Sequence, residues 1–239
     1  MTGMGEVLSA VWGDVAGVQA PLCTQLVLAS GAAALALVVV PGLWRVSRHA
    51  LTIAHEGSHG VVALASGRTL AGIRLHSDTS GLTVSRGKPT GLGMVLTASA
   101  GYVGPALMGL SAAFLLREHH ALAVLWLAVL LLALLLLQIR NFYGLYAVLV
   151  AGVGVFAVTW WASEQWQSLV AYTGVWFVLL ATPRSVFELQ VQRRRGRGAS
   201  SDADVLARLT HLPGLVWVAV FLLVALATLV VGGGWLLAP

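Results

Sequence analysis

Two histidines four residues apart, with a glutamate beside the first, stand at His55-Glu56-Gly57-Ser58-His59. On an α-helix, residues at i and i+4 project from one face, where two neutral imidazoles can hold Zn²⁺ at about 2.0–2.1 Å. Glu56 lies one step off that face, placed as a general base towards a water that the metal acidifies. The chemistry this spacing points to is metal-assisted hydrolysis. A catalytic zinc takes three protein ligands and keeps one open position, so another residue must complete the set.

The surroundings of the motif sharpen that reading. The 239-residue chain carries 14 basic and 9 acidic side chains, is 58% hydrophobic, and has a mean hydropathy of +0.87. Soluble domains carry roughly 25% charged residues, against 10% here, which excludes an ordinary soluble enzyme. Apolar segments predict an all-α polytopic membrane protein forming a single integral membrane domain with about six to seven transmembrane helices, at 22–44, 48–66, 91–116, 121–139, 142–162, 166–187 and 213–236. Residues 67–90 break the pattern. Ile73, Leu75, Leu82 and Val84 alternate with polar residues around the turn-prone 78–81 stretch, which predicts a short β-hairpin after the motif helix. Residues 188–212 read as a basic cytoplasmic linker whose Ser200, Ser201, Asp202 and Asp204 open a short helix. Ionisable groups inside an apolar span are costly unless paired, coordinated or hydrated, so the motif's setting itself favours a metal.

The positive charge belongs to the membrane and not to nucleic acid. All the basic residues but Lys88 are Arg, and the one compact run, Arg193, Arg194, Arg195 and Arg197, sits in a linker without interleaved aromatic residues. That arrangement fits topology and lipid headgroups and lacks the folded basic face of a nucleic-acid binder. Cys23 is alone, which leaves no intramolecular disulfide. Residues 1–20 carry Glu6 and Asp14 with no basic leader, unlike a cleaved signal peptide. The distribution of Arg and Lys predicts integration in the plasma membrane with the N-terminus and hairpin cytoplasmic. Arg68, Arg74, Arg86, Lys88, Arg140, Arg184, the 193–197 run and Arg208 then lie inside, with Arg45, Arg48 and Arg117 outside together with the loops at 118–120 and 163–165. The short connection holding Arg45 and Arg48 opposes this bias.

That orientation puts His59 about 10 Å and His55 about 16 Å from the cytoplasmic end of their helix, so the third ligand should come from the cytoplasmic half. Glu188, Asp202, Asp204, His76 and His211 remain. Each has a plainer role open to it. Asp202 and Asp204 suit the first turn of a helix, Ser201 with Asp204 resembles a capping box, and Glu188 can pair with Arg184 four residues before it. Gly101, Gly104 and Gly109 form a small-residue stripe that suits close helix packing, including packing against the motif helix.

In order along the chain, Ala54 to Gly60, the hairpin from Gly72-Ile73 to Gly81-Leu82-Thr83, Ala98 to Pro105, and Ser201-Asp202-Ala203 resemble the site-2-protease-like membrane zinc metallopeptidases, in particular their compact M50B-like branch. The resemblance covers roughly residues 48 to 217. It implies a zinc-dependent intramembrane protease with His55 and His59 as metal ligands, Glu56 as base, and a membrane-protein substrate within the lipid bilayer. It also implies that hairpin residues Gly72, Ile73, Gly81, Leu82 and Thr83 offer a strand edge to an unwound substrate segment. Mainstream members supply the third ligand from an Asp-Gly motif, and this chain has none; residues 140–144, Arg-Asn-Phe-Tyr-Gly, offer no carboxylate near the expected place. The branch resembles this chain at both remaining acidic places, with Asp202 the leading third ligand and Glu188 the alternative. The rival expectation is a catalytically silent membrane scaffold or binding protein that keeps the fold. The oligomeric state is open.

Overall fold

The computed structural model describes residues 3–196 and 201–238, and Arg197 of the basic run and Ser200 of the linker lie outside them. The described chain is helical apart from one hairpin: α1 Met4–Ala16, α2 Thr24–Val39, α3 Pro41–Ala65, β1 Thr69–Leu75, β2 Gly81–Arg86, α4 Leu92–Arg117, α5 Ala121–Leu136, α6 Phe142–Trp161, α7 Glu164–Arg194, α8 Asp202–Thr210 and α9 Gly214–Leu237. Four of these helices, α4, α6, α7 and α9, are long and apolar enough to cross a membrane, and the pair α2 and α3 makes a fifth if counted as one bent span. Helix α5 is equally apolar but has 16 residues, about 24 Å at 1.5 Å per residue. The six or seven stretches seen in the sequence reduce in this way because two of them join and one is short.

The join has a local cause. A residue preceding proline is pushed out of the α region, and Val40, before Pro41, sits at φ −73° and ψ 120°. Proline is tolerated at the first position of the next helix, where its missing N–H has no helical partner to lose. The apolar stretch expected to run to residue 44 therefore ends at Val39, and α3 leaves at 99° to α2. At the far end of the molecule, the backbone N–H of Gln19 donates to the His119 carbonyl at 2.9 Å, and Trp126 Nε1 donates to Asp14 at 3.2 Å. His120 Nδ1 also meets the Gly17 carbonyl, at 2.9 Å. The N-terminal segment is thus tied to the α4–α5 connection, the end of α4 opposite the hairpin. Counted as one bent span, α2 and α3 put the N-terminus and the hairpin on opposite faces; counted as two, they put them on the same face, as the sequence reading expects. Arg48 lies at the hairpin end of the bundle, where it pairs with Glu188 near the close of α7 at 3.4 Å.

Helix α7 runs on to Arg194, so the first part of the expected linker is helix. Its 31 residues measure about 46 Å, long enough to project beyond roughly 30 Å of hydrocarbon. The hairpin pairs β1 with β2 antiparallel, Ile73 opposite Thr83, with an irregularity between Leu70 and Gly72. Gly72 has φ 145° and its Cα faces the Arg140 side chain, so glycine is required there twice over. Ile53, Ile73, Leu75, Leu135, Ile139 and Val148 form the core that seats the hairpin on α3. A second core of Ala98, Val186, Leu189, Ala203, Leu206, Val218 and Phe221 holds the short α8 among α4, α7 and α9.

Single cysteines placed at Gly5 and Thr79 in a Cys23→Ser background should react with an impermeant maleimide from opposite faces of sealed vesicles. Labelling of both from one face would mean that α2 and α3 each cross the bilayer.

Candidate metal centre

The motif lies wholly within α3, so its residues take the spacing a helix dictates. His55 Nε2 and His59 Nε2 are 3.2 Å apart. Both converge on one carboxylate oxygen of Asp202, the first residue of α8: Oδ2 lies 3.2 Å from His55 Nε2 and 3.3 Å from His59 Nε2. Tetrahedral zinc with bonds of 2.0–2.1 Å separates its ligand atoms by about 3.3–3.4 Å. The donor triangle therefore has the size of one face of a zinc tetrahedron. Two imidazole nitrogens and a carboxylate oxygen are also the donor types that catalytic zinc takes. These three are the group among the described residues that could hold a metal ion.

Each of the three side chains is oriented by a neighbour. His59 Nδ1 lies 2.7 Å from the Thr97 carbonyl; since a carbonyl only accepts, Nδ1 carries the proton and Nε2 is left free to ligate. The His55 ring meets Tyr102 edge-on at 4.9 Å, and Tyr102 stacks on Phe221. Asp202 is delivered by the start of α8. There Ser201 is the N-cap, Asp204 is clasped by Arg193 through Nη2 at 2.7 Å and Nε at 3.1 Å, and Ser201 Oγ donates to Asp204 at 2.6 Å. The Arg193 guanidinium beside Asp204 holds its carboxyl below the usual range. The helix-start role open to either acid thus falls to Asp204, and Asp202 turns towards the histidines.

Glu188 faces the same cavity, with its Oε1 hydrogen-bonded and its buried Oε2 met only by an ion pair. Trp44 Nε1 donates to Oε1 at 2.7 Å, Arg184 Nε donates to the same oxygen at 3.3 Å, and Arg48 Nη2 is 3.4 Å from Oε2. His76 lies at the hairpin turn, 3.3 Å from Ser80 Oγ. His211 ends α8 in a left-handed conformation, φ 59°.

Glu56 is 5% exposed. Thr83 Oγ1 lies 2.6 Å from its carboxylate Oε2 and 3.0 Å from its backbone carbonyl, and its side chain packs on the Cα of Gly81. Of the hairpin residues singled out in the sequence, Gly81 and Thr83 stand beside Glu56, while Gly72 and Ile73 lie on the far strand. The outer edge of β1 is taken, since Ile73 N–H donates to the Gln138 carbonyl at 2.8 Å and Arg140 N–H donates to the Ile73 carbonyl at 2.9 Å. Antiparallel pairing alternates inward and outward backbone groups, so Gly81, Thr83 and Ser85 point their N–H and C=O groups away from β1. These three residues line a cavity of about 390 Å³ together with His55, Glu56, His59, Asp202 and Arg48.

Two features were not read from the sequence. The Thr97 carbonyl carries no side-chain signal. Trp44 closes the first expected span and Arg48 opens the second beside their short connection, yet both fall on the wall of the cavity. The small-residue stripe does both things foreseen for it, as Gly104 packs on Ser58 and Gly101 packs on the two histidines.

The site is thus a group of three donors that could hold a metal ion, beside a buried carboxylate, on a helix of an apolar bundle. The family model for Peptidase M50B-like proteins matches residues 28–232. The chain therefore belongs to this site-2-protease-like family, whose wider M50 group comprises zinc metalloproteases. No curated protein and no solved structure matches the chain.

Asp202→Ala should weaken zinc binding by more than about 100-fold, beyond the 10–100-fold typical of removing a residue that only orients a ligand; Glu188→Gln should change it only a few-fold. Isothermal titration of metal-stripped protein distinguishes the two, and the reverse ranking would make Glu188 the ligand. A methyl at Gly101 would overlap both histidine rings. Gly101→Ala should accordingly lose zinc while keeping wild-type helical content by circular dichroism.

Proposed function

We propose that this protein is a zinc-dependent intramembrane protease of site-2 type, hydrolysing a peptide bond in or near a transmembrane segment of a substrate protein. The observation that carries the reading is the convergence of His55, His59 and Asp202 into a zinc-sized triangle beside Glu56, on a cavity that also exposes a free strand edge. When bound, zinc supplies a Lewis acid that acidifies water and polarises a carbonyl. The chain's own residues do the rest. Glu56, oriented by Thr83, is the group that takes the proton from attacking water and returns it to the leaving amine. The carboxylate has room for this because Gly81 presents only hydrogen to it.

A substrate helix hides its amides in internal hydrogen bonds and must unwind to be cut. Unwound amides in hydrocarbon cost several kcal/mol each unless they find partners. Gly81, Thr83 and Ser85 supply such partners by strand addition. The edge that serves is that of β2, since β1 is closed by residues 138–140. The hairpin end is cytoplasmic on this reading: Arg45 and Arg48 now join Arg68, Arg74, Arg86 and Lys88 there, which strengthens the positive-inside bias. The silent-scaffold alternative drew on the missing Asp-Gly motif; Asp202, arriving from α8, offers the oxygen donor that this motif provides elsewhere in the family.

Purified wild type and Glu56→Gln should hold equal, stoichiometric zinc, while the variant cleaves a reconstituted transmembrane substrate roughly 10²–10⁴ times more slowly, the usual worth of a general base. A wild type unable to retain stoichiometric zinc would sink the protease reading.

A further inference from the structure

We infer that Arg48 forms a carboxylate-binding subsite in the cavity, which selects substrates bearing an acidic group about three residues from the scissile bond. The inference rests on the protease reading for its role, although not for the existence of the site. Residues 48, 52, 55 and 59 follow 4-3-4 spacing and share one face of α3; Arg48, Thr52, His55 and His59 all line the cavity. Arg48 lies seven residues before His55, about 10.5 Å along the helix, which is the reach of about three residues of extended chain.

The hairpin leads to it. Thr52 Oγ1 donates to the Thr79 carbonyl at 2.9 Å and Thr83 Oγ1 to the Glu56 carbonyl at 3.0 Å, so β2 runs alongside α3 in the same direction. An extended segment on the β2 edge, carried past the turn at Thr79, arrives at Arg48.

Arg48 lines the cavity beside Glu188, whose carboxylate it does not hold alone. Glu188 is one carboxylate shared between two guanidiniums, Arg48 and Arg184, and it also accepts from Trp44 Nε1. Both guanidiniums also lie over the Trp44 ring, Arg184 at 4.4 Å and Arg48 more loosely at 5.9 Å from its centroid. Arg48 meets Glu188 through Nη2 alone, its side chain 32% exposed. The planar fork of the guanidinium matches a carboxylate in two-point geometry, and the part of the fork that Glu188 leaves open is the part a second carboxylate would meet. An acidic side chain and a peptide C-terminus offer the same chemistry. Lipid phosphate is the poorer match, because the site lies on the same helical face as the zinc ligands and in line with the strand edge.

The test uses zinc-loaded, full-length Glu56→Gln protein in phosphatidylcholine nanodiscs, with fluorescent apolar decapeptides that carry a single Glu, Gln or Lys, or a free or amidated C-terminus. The Glu peptide should bind about tenfold more tightly than the Gln peptide and the Lys peptide more weakly still, a ranking read without altering Arg48. Comparison of free with amidated termini tells the two carboxylate sources apart. Adding Arg48→Gln should erase the preference while zinc content stays at the parent's value. Equal binding of the Glu and Gln peptides overturns the subsite. So does a preference that survives Arg48→Gln, or an effect of Arg48→Gln confined to retention of phosphatidylglycerol. If the preference holds and the protein without the Glu56 change cleaves no reconstituted transmembrane substrate, with or without an acidic residue, the subsite stands and the protease reading fails.

Discussion

Three donor atoms must meet within 3.3 Å of one another, although two ride on α3 and the third arrives near the end of the chain. The design of the hairpin end of the bundle follows from that requirement. Helix α8 has nine residues, fewer than the roughly 12–15 an isolated helix needs in water, so its place is set by what it docks on. Ala203 and Leu206 are fully buried at 0% exposure, and full burial of a leucine contributes about 1.5–3 kcal/mol. The Arg193–Asp204 pair, with side chains 17% and 25% exposed, adds direction more than energy, because partly solvated pairs are weak. A Cβ at Gly214 would collide with that pair, so the start of α9 is shaped around the same clasp. Packing supplies the affinity of α8 for the bundle and the clasp supplies its angle, and Asp202 inherits both.

The contact between α3 and α4 performs two tasks at once. Helices in lipid have no hydrophobic drive to associate and rely on close van der Waals packing of small residues. Gly101 and Gly104 permit that approach, and the surfaces they admit are the two histidines and Ser58. The resulting proximity brings the Thr97 carbonyl to 2.7 Å from His59 Nδ1, which selects the ligating nitrogen. Helix association and ligand orientation are therefore one interaction.

Local patterns in the sequence located the motif helix, the hairpin and the core of most apolar helices, because periodicity and turn chemistry are local. Hydropathy could not place the break between α2 and α3, since apolar residues continue through it; the informative residue was Pro41, acting on Val40. It also ended α7 too early. Glu188, Gln190, Gln192 and Arg193 are polar but compatible with a helix, so hydropathy reports where lipid could end and not where the helix does. The choice between Asp202 and Glu188 turned on partners distant in sequence, Trp44, Arg48 and Arg184, that claim one carboxylate and leave the other. Closure of the β1 edge was equally hidden. Asn141 caps that pairing with its side chain, accepting from Leu75 N–H at 3.1 Å and donating to the Leu75 carbonyl at 2.6 Å, and nothing in the pattern around Arg140 and Asn141 reads as a strand.

The hairpin consequently has one edge fixed to the bundle and one turned to the cavity, and Thr83 stands on the second with two duties. Its side chain holds the carboxylate and the carbonyl of Glu56, while its backbone groups face outward along the strand edge. On the proposed reading, a substrate segment that pairs with this edge draws on the same residue that orients the base. A strand held by ladder bonds on both sides is stiffer than one held on a single side, so occupancy of the edge restricts the freedom of Thr83 and, through it, of Glu56. Positioning worth several kcal/mol in a barrier requires reacting groups held to well under 1 Å. A two-stranded hairpin alone is marginal in water, and here its rigidity comes from residues 138–141 on one edge and from the α3 surface beneath. On the same reading, a substrate strand added at β2 would couple its own engagement to the orientation of Glu56.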